Sequence, residues 1–187
     1  MQMAPVDLET ARLRLRPLTA GDAAWYLAHF SRPEIVHGSG FPAPADLAAA
    51  EQELHAYALD LMANGTGMRW GITRRGSDEL IGSIGYYKLR LEPIRQVEIG
   101  YDLAPEAWGA GLMTEALEAV IAYCFGPLGI ERIEALVMRT NERSARVLRR
   151  ARFECEATLP RHGTDEFGEL TDELLFVRTA GADLPGA

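Results

Sequence analysis

The chain has 187 residues, 48% of them hydrophobic, with a net charge of −8 and a pI near 5.1. That length and apolar content bury one sizeable core, and the acidic balance excludes nucleic acid as the main ligand, because a phosphate backbone demands a basic face. No apolar run approaches the length that spans a bilayer, and the amino-terminal MQMAPVDLE lacks the basic start and hydrophobic centre of a secretion signal, so a cytoplasmic protein with no membrane partner is expected.

In chain order, Leu13 to Leu18 reads as a first strand and Gly21 to Phe30 as a short helix capped by Thr19 or Asp22. Pro33, Gly38, Gly40, Pro42 and Pro44 then punctuate a loop. A helix is expected from Asp46 to Ala63, where Leu47, Ala50, Leu54, Tyr57, Ala58 and Leu61 recur at helical spacing. Met68 to Thr73, Leu80 to Tyr87 and Gln96 to Leu103 follow as a meander of strands turning at Arg75-Gly76 and around Pro93. Met113, Ala116, Leu117, Val120, Ile121 and Cys124 form the apolar face of the next helix, which Gly126 and Pro127 end. Ile133 to Met138 is a strand, Glu142 to Arg150 a helix, and Phe153 to Leu159 with Glu173 to Arg178 a closing pair of strands. One domain spans residues 8–178, and residues 179–187 form a frayed tail. Cys124 and Cys155 lack CxxC spacing and read as buried thiols of a reducing compartment. His29, His37, His55 and His162 show no metal-ligand spacing, so no metal is expected.

The most informative stretch is Glu98 to Ala116, EIGYDLAPEAWGAGLMTEA. Val97, Ile99, Tyr101 and Leu103 alternate with Glu98, Gly100 and Asp102 as in a strand with two different faces, and Pro105 stops it. Gly109, Ala110 and Gly111 then allow a turn with exposed N–H groups, and a helix starting near Leu112 adds free amides and a positive dipole end. This is a cradle for a phosphate or pyrophosphate. An ATP-type loop would need Gly-Lys-Ser/Thr, but Leu112, Met113 and Thr114 follow Gly111. A dinucleotide fingerprint would need a third glycine where Thr114 stands. A turn that binds nothing is the bland alternative. The chemistry that fits is a pyrophosphate held without lysine or metal, as coenzyme A requires.

Trp108-Gly109-Ala110-Gly111 followed by Thr114-Glu115-Ala116 resembles the acetyl-coenzyme A site of the GNAT acetyltransferase superfamily, in its Rim-type branch of ribosomal-protein N-terminal acetyltransferases. Thr10 to Pro17 resembles that branch's first strand, and Asn141-Glu142-Arg143-Ser144 followed by Val147, Leu148 and Phe153 its Asn-x-x-Ser helix. The resemblance implies a single α/β domain with a mixed, strongly twisted sheet of six to seven strands and about four helices. It also implies acetyl-CoA as donor and a primary amine as acceptor: a protein N-terminus, polyamine, aminoglycoside or small metabolite. A non-catalytic acyl-CoA binding module and a nucleotide-binding domain are the alternatives. Two positions depart from the pattern: Glu106 stands where Gln or Arg is common, and Arg152 stands where glycine precedes Phe153.

Acyl transfer to an amine needs a base, because amines are mostly protonated at neutral pH. Glu98 is the first candidate, with Asp102 second, because Gly100 between them leaves a gap for an acceptor. The alternative for Glu98 is a structural ion pair with a nearby arginine. The oxyanion needs a fixed donor, and the resemblance implies that this strand splays from its neighbour, freeing amides at Asp102 and Leu103. Ser144 or Tyr101 is the candidate to protonate the leaving thiolate, and Asn141 to hold the pantetheine arm, unless Asn141 and Ser144 only cap a helix. Cofactor contacts are therefore expected along Asp102, Leu103, Trp108, Gly109, Ala110, Gly111, Leu112, Met113, Thr114 and Asn141. Arg143, Arg146, Arg149, Arg150 and Arg152 are candidates for the adenosine phosphate, and the acids from Asp165 to Glu173 for a cationic acceptor, or else both clusters are solvated surface. The oligomeric state is not readable.

Overall fold

The computed structural model describes residues 5–181. Eight strands form one sheet in the order β1-β2-β3-β4-β5-β6-β8-β7. They are β1 Leu8–Glu9, β2 Leu13–Pro17, β3 Met68–Arg74, β4 Leu80–Arg90, β5 Gln96–Leu103, β6 Arg132–Met138, β7 Glu154–Thr164 and β8 Leu170–Thr179. Every neighbouring pair is antiparallel except β5 and β6. The helices are α1 Ala23–Phe30, α2 Pro33–Ser39, α3 Leu47–Leu54, α4 Asp60–Asn64, α5 Leu112–Phe125 and α6 Glu142–Arg150. A π-helical segment, His55–Leu59, joins α3 to α4, so the helix expected from Asp46 to Ala63 is one continuous rod with a widened middle.

Local chemistry explains these boundaries. Leu13 and Leu15 are fully buried while Arg14 and Arg16 alternate outward, giving β2 its two faces. Asp46 caps α3 by accepting from the Ala49 amide at 2.8 Å. The face expected for α5 is the buried one: Met113, Ala116, Leu117, Val120, Ile121 and Cys124 pack onto Ile84, Val97 and Ile133 of the sheet in the main core. Truncating such a residue to alanine costs about 2–5 kcal/mol. A second cluster, with Leu18, Tyr26, Phe30, Ile35 and Leu54, joins α1, α2 and α3 on the side where β5 ends.

The strand count exceeds the expected six to seven because Leu8–Glu9 adds a short edge strand, too brief to show periodicity. The loop expected after Phe30 contains α2, which begins with Pro33 in its first turn and ends at Gly40 with φ 73°. Cys124 is buried as expected, but Cys155 is exposed: it sits on β7, the edge strand of the sheet. Of the tail, Ala180 donates to Glu131 O at 2.9 Å, and residues 182–187 lie outside the described residues.

Arg152 terminates α6 in the manner its sequence position suggests. Its φ is 58°, Phe153 N donates to Leu148 O at 3.0 Å and Arg152 N to Arg149 O at 3.1 Å, which together make a Schellman end. A side chain in that left-handed position is disfavoured by about 1–2 kcal/mol, and glycine's larger folding entropy takes back part of this. Arg152→Gly should therefore raise stability by about 0.5–1 kcal/mol in urea unfolding; a lowered midpoint would show that the arginine's own contacts outweigh the strain.

Candidate active site

The site is built where β5 and β6 part. Their parallel register runs only through Gln96↔Arg132, Val97↔Ile133 and Glu98↔Glu134, whereas β5 stays paired with β4 through Gly82↔Leu103. Ala104 N donates to Ile81 O at 2.7 Å, so strand alternation turns the Asp102 amide toward β4 and the Tyr101 and Leu103 amides toward the gap. The expected pair of free amides, Asp102 and Leu103, is corrected to Tyr101 and Leu103 by that alternation. Trp108 Nε1 donates to Leu103 O at 2.6 Å, fixing the peptide that presents one of them.

Beyond the gap lies the glycine turn. Gly109 and Gly111 have φ of 77° and 74°, and a Cβ at either would find open space apart from Arg12 Nη2 at 3.8 Å from Gly111. Glycine is needed there for its backbone conformation, not for room. The first amide of α5 bonded within the helix is that of Glu115, to Gly111 O, and Gly111 offers no side-chain cap, which leaves the Leu112, Met113 and Thr114 amides at the positive end of the helix. The turn is braced from behind: the Glu115 carboxylate accepts from Thr10 Oγ1 at 2.6 Å and Arg12 Nε at 2.6 Å, and Arg12 Nη1 donates to Ala110 O at 3.0 Å. Ala110 is exposed and contributes backbone only.

A cleft of about 940 Å³ runs from this turn through the gap; every expected catalytic and cofactor-contact residue except Ala110 lines it, whereas Arg149, Arg152 and the loop acids Asp165, Glu166, Glu169 and Asp172 do not. Glu98 is nearly buried, and its Oε2 pairs with Lys88 Nζ at 2.7 Å, a lysine rather than the arginine anticipated for an ion pair. The gap expected over Gly100 is filled: a Cβ there would meet the Tyr87 ring at 3.2 Å. Burial, and then the neighbouring Glu98 carboxylate, push the Tyr87 phenol above its ordinary value. The Tyr101 hydroxyl lies 2.9 Å from Ser144 Oγ and donates to Ser144 O at 3.2 Å, tying β5 to α6 across the parting strands. Burial raises the Tyr101 phenol, partly offset by the Ser144 hydrogen bond, so it stays protonated and able to donate. Asn141 is engaged at both ends of its amide, accepting from Ser144 N at 3.1 Å as the cap of α6 and donating to Gly38 O at 2.9 Å. A ligand could use only its second N–H and remaining lone pair. Arg143 stacks on Trp108 with 3.3 Å from its guanidinium carbon to the ring centre, and Arg146 and Arg150 also line the cleft.

A family profile described as "Acetyltransferase (GNAT) domain" matches residues 12–154. The chain belongs to the GNAT acetyltransferase family. The uncharacterized N-acetyltransferase YoaA of Bacillus subtilis is 39% identical over 157 residues, 84% of this chain and 87% of that protein. The ribosomal protein uS5-alanine N-acetyltransferase of Escherichia coli is 30% identical, covering 81% of this chain and 79% of that protein, which supports the Rim-type branch. Among solved structures, Mycobacterium smegmatis RimJ in complex with CoA-disulfide superposes with a TM-score of 0.81 at 23% identity, over 100% of this chain and 91% of that one. The fold is thus shared, the protein is an acetyltransferase acting on an amine, and the family's donor is acetyl-CoA.

In this GNAT domain Asp102 is a structural anchor. Its carboxylate accepts from Ser83 Oγ at 2.5 Å, Ser83 N at 3.0 Å and Arg69 Nη2 at 2.8 Å. His29 Nε2 lies 2.7 Å from Oδ1. Arg69 in turn donates to Ser83 Oγ at 3.0 Å and lies over the Tyr57 ring at 3.7 Å. Burial alone would raise the Asp102 carboxyl; His29, Arg69 and Ser83 together outweigh it and hold it below 3.8. Its place within a base-bearing face, inferred from alternation, is superseded by this enclosure. The sequence reading missed Lys88 and Tyr87, whose signal was their position at the end of β4, and missed His29, Arg69 and Ser83, which lie far apart in the chain. The acidic loop is also largely committed: Asp165 accepts from the Phe167 and Glu169 amides at 2.9 Å, Glu166 pairs with His37 at 2.8 Å and Glu173 with His162 at 2.6 Å. Glu106 pairs with Arg32 on the outside.

Two outcomes follow from this geometry. Gly111→Val places a β-branched residue at φ 74°, so calorimetry should show coenzyme A affinity falling at least about tenfold while the helical circular dichroism is kept; unchanged affinity would mean the turn touches no ligand. Asp102→Asn leaves Arg69 without its carboxylate and should destabilise by about 3–5 kcal/mol at neutral pH. Since the folded-state pKa is depressed, the wild-type advantage is present above the ordinary value of 3.8 and vanishes as pH falls through the folded value; a gap between the two proteins that persists at the lowest pH would contradict this assignment.

Proposed function

We propose that this chain transfers the acetyl group of acetyl-CoA to a cationic primary amine, best matched by the α-amino group of a protein, in the cytoplasm. The observation that carries it is the meeting, in one cleft, of the Tyr101 and Leu103 amides, the α5 amino terminus and the Glu98 carboxylate. The residues fit the donor: Gly109 and Gly111 expose the backbone where the Leu112, Met113 and Thr114 amides would take the pyrophosphate, and Arg143, Arg146 or Arg150 the adenosine phosphate. The Tyr101 and Leu103 amides would hold the pantetheine arm and the carbonyl oxygen as it gains charge. Acetyl-CoA supplies the activated thioester, and the rest falls to side chains of this protein.

Glu98 removes a proton from the acceptor ammonium, and its carboxylate is also the charge that recruits it. The Tyr101–Ser144 hydroxyl pair returns a proton to the leaving sulfur. The relatives named for alanine of uS5, and the structurally similar Salmonella typhimurium acetyl transferase that modifies the N-terminal serine of L7/L12, support a protein amino terminus with a small first residue. The loop acids are engaged with His37, His162 and backbone amides, and Glu98 with Lys88, so a cationic acceptor would exchange with Lys88 beside Glu98.

Glu98→Gln should lower kcat on an accepted peptide amine by about 100-fold, with partial recovery as pH rises and free amine accumulates. Coenzyme A affinity should stay within a few fold, since the carboxylate acts on the acceptor. Equal turnover by the two proteins would place the base elsewhere.

A further inference from the structure

Among 187 residues there are eighteen arginines and a single lysine, Lys88. Arginine keeps its proton in proteins and is no nucleophile, whereas a lysine amine that loses its proton is one. The one ε-amine of the chain therefore has unusual chemical standing, and the fold puts it in the active-site cleft. The β4–β5 register is irregular between Tyr87 and Arg90, and Lys88 adopts φ 53°, a conformation uncommon for a residue with a side chain. Such a bulge re-aims a side chain that would otherwise continue the strand's alternation. Here it carries Nζ to 2.7 Å from Glu98 Oε2 and 5.7 Å from the centre of the Tyr87 ring. Half of the side chain remains exposed, so it is held by these contacts and not locked in the core.

We propose that Lys88 is a self-acetylation site: in the absence of an external amine, it takes the acetyl group from the donor bound in its own cleft. This rests on the reading of Glu98 as base and of the cleft as the acetyl-CoA site. Lys88 occupies the seat that an acceptor's ammonium would take beside Glu98, so the same chemistry is open to it. Glu98 takes one proton from the ammonium and releases it to solvent. The Nζ lone pair forms the C–N bond to the thioester carbonyl carbon, the C–S bond breaks, and the second Nζ proton leaves with the sulfur, through the Tyr101–Ser144 hydroxyls, as coenzyme A thiol. The products are an acetyl-lysine and free coenzyme A, with no other reactant. Tethering makes the step unimolecular, which favours it over capture of lysines from other molecules. The product is neutral, so Glu98 loses its ion-pair partner.

The full-length protein is incubated with acetyl-CoA and no acceptor, then read by intact mass and peptide mapping, with turnover of a peptide amine and calorimetric binding of acetyl-CoA measured on the same preparation. One acetyl group per chain should appear on Lys88, at a rate independent of protein concentration. It should be absent in Lys88→Arg, which keeps a cation for Glu98. It should form at least about tenfold more slowly in Glu98→Gln and in Gly111→Val. The heat-unfolded chain reports uncatalysed acetylation. An unmodified Lys88 in a protein that turns over the peptide overturns this proposal and leaves the proposed function intact. Labelling of Lys88 no faster than the unfolded chain, or at a rate rising with protein concentration, overturns it too. Failure to bind acetyl-CoA at all removes the function and the inference together.

Discussion

The structure depends on one interrupted hydrogen-bond ladder. A buried strand normally pairs on both sides, because an unpaired backbone amide removed from water is costly. β5 obeys this against β4 from Glu98 to Leu103, and again at Gln96 beyond a bulge, but against β6 for three residue pairs only. The amides released past Glu98 are kept accessible by the cleft, and neighbouring elements hold the opening in place. Tyr101 reaches across to Ser144 at the start of α6. Trp108 fixes the Leu103 carbonyl. Asp102 binds β5 to β3 and β4 through Arg69 and Ser83. The site is thus a place where the sheet is stopped from closing, with rigid supports on each side.

The second support is electrostatic. The α5 amino terminus faces the cleft without a side-chain cap, while Glu115, one turn into the helix, is turned away toward Thr10 and Arg12. A carboxylate in the first turn suits the helix dipole, and its use as a brace leaves the front amides to an anion. In a chain of net charge −8, that local positive end and Arg143, Arg146 and Arg150 of α6 give the cleft one positive half, and the other half carries the Glu98 carboxylate.

The sequence made the first of these halves legible and the second only partly so. Gly109 and Gly111, followed by an amphipathic run, are local signals: backbone conformation and helix start lie within a few residues of each other. The α5 face and the left-handed Arg152 were readable for the same reason. What escaped is long-range or irregular. Asp102 looked like a reserve base because alternation reports a face, not what packs on it; its partners come from residues 29, 69 and 83. The direction of the Asp102 amide depended on which neighbour it bonds, which one strand's sequence does not state. Lys88 reaches Glu98 through a bulge, and bulges break the periodicity by which strands are read. α2 hid behind prolines and glycines that serve as its start and stop rather than as a loop.

The proposed function requires that the unpaired amides at the parting of β5 and β6 and at the head of α5 hold the acyl donor. Amide hydrogen exchange resolved to single residues, with and without acetyl-CoA, tests it most directly. New protection is expected at Tyr101 and Leu103 and at Leu112, Met113 and Thr114, with little change at the Ala49 amide already capped by Asp46. Binding that leaves those five amides exchanging at their free rates, or that protects another part of the sheet instead, would contradict it.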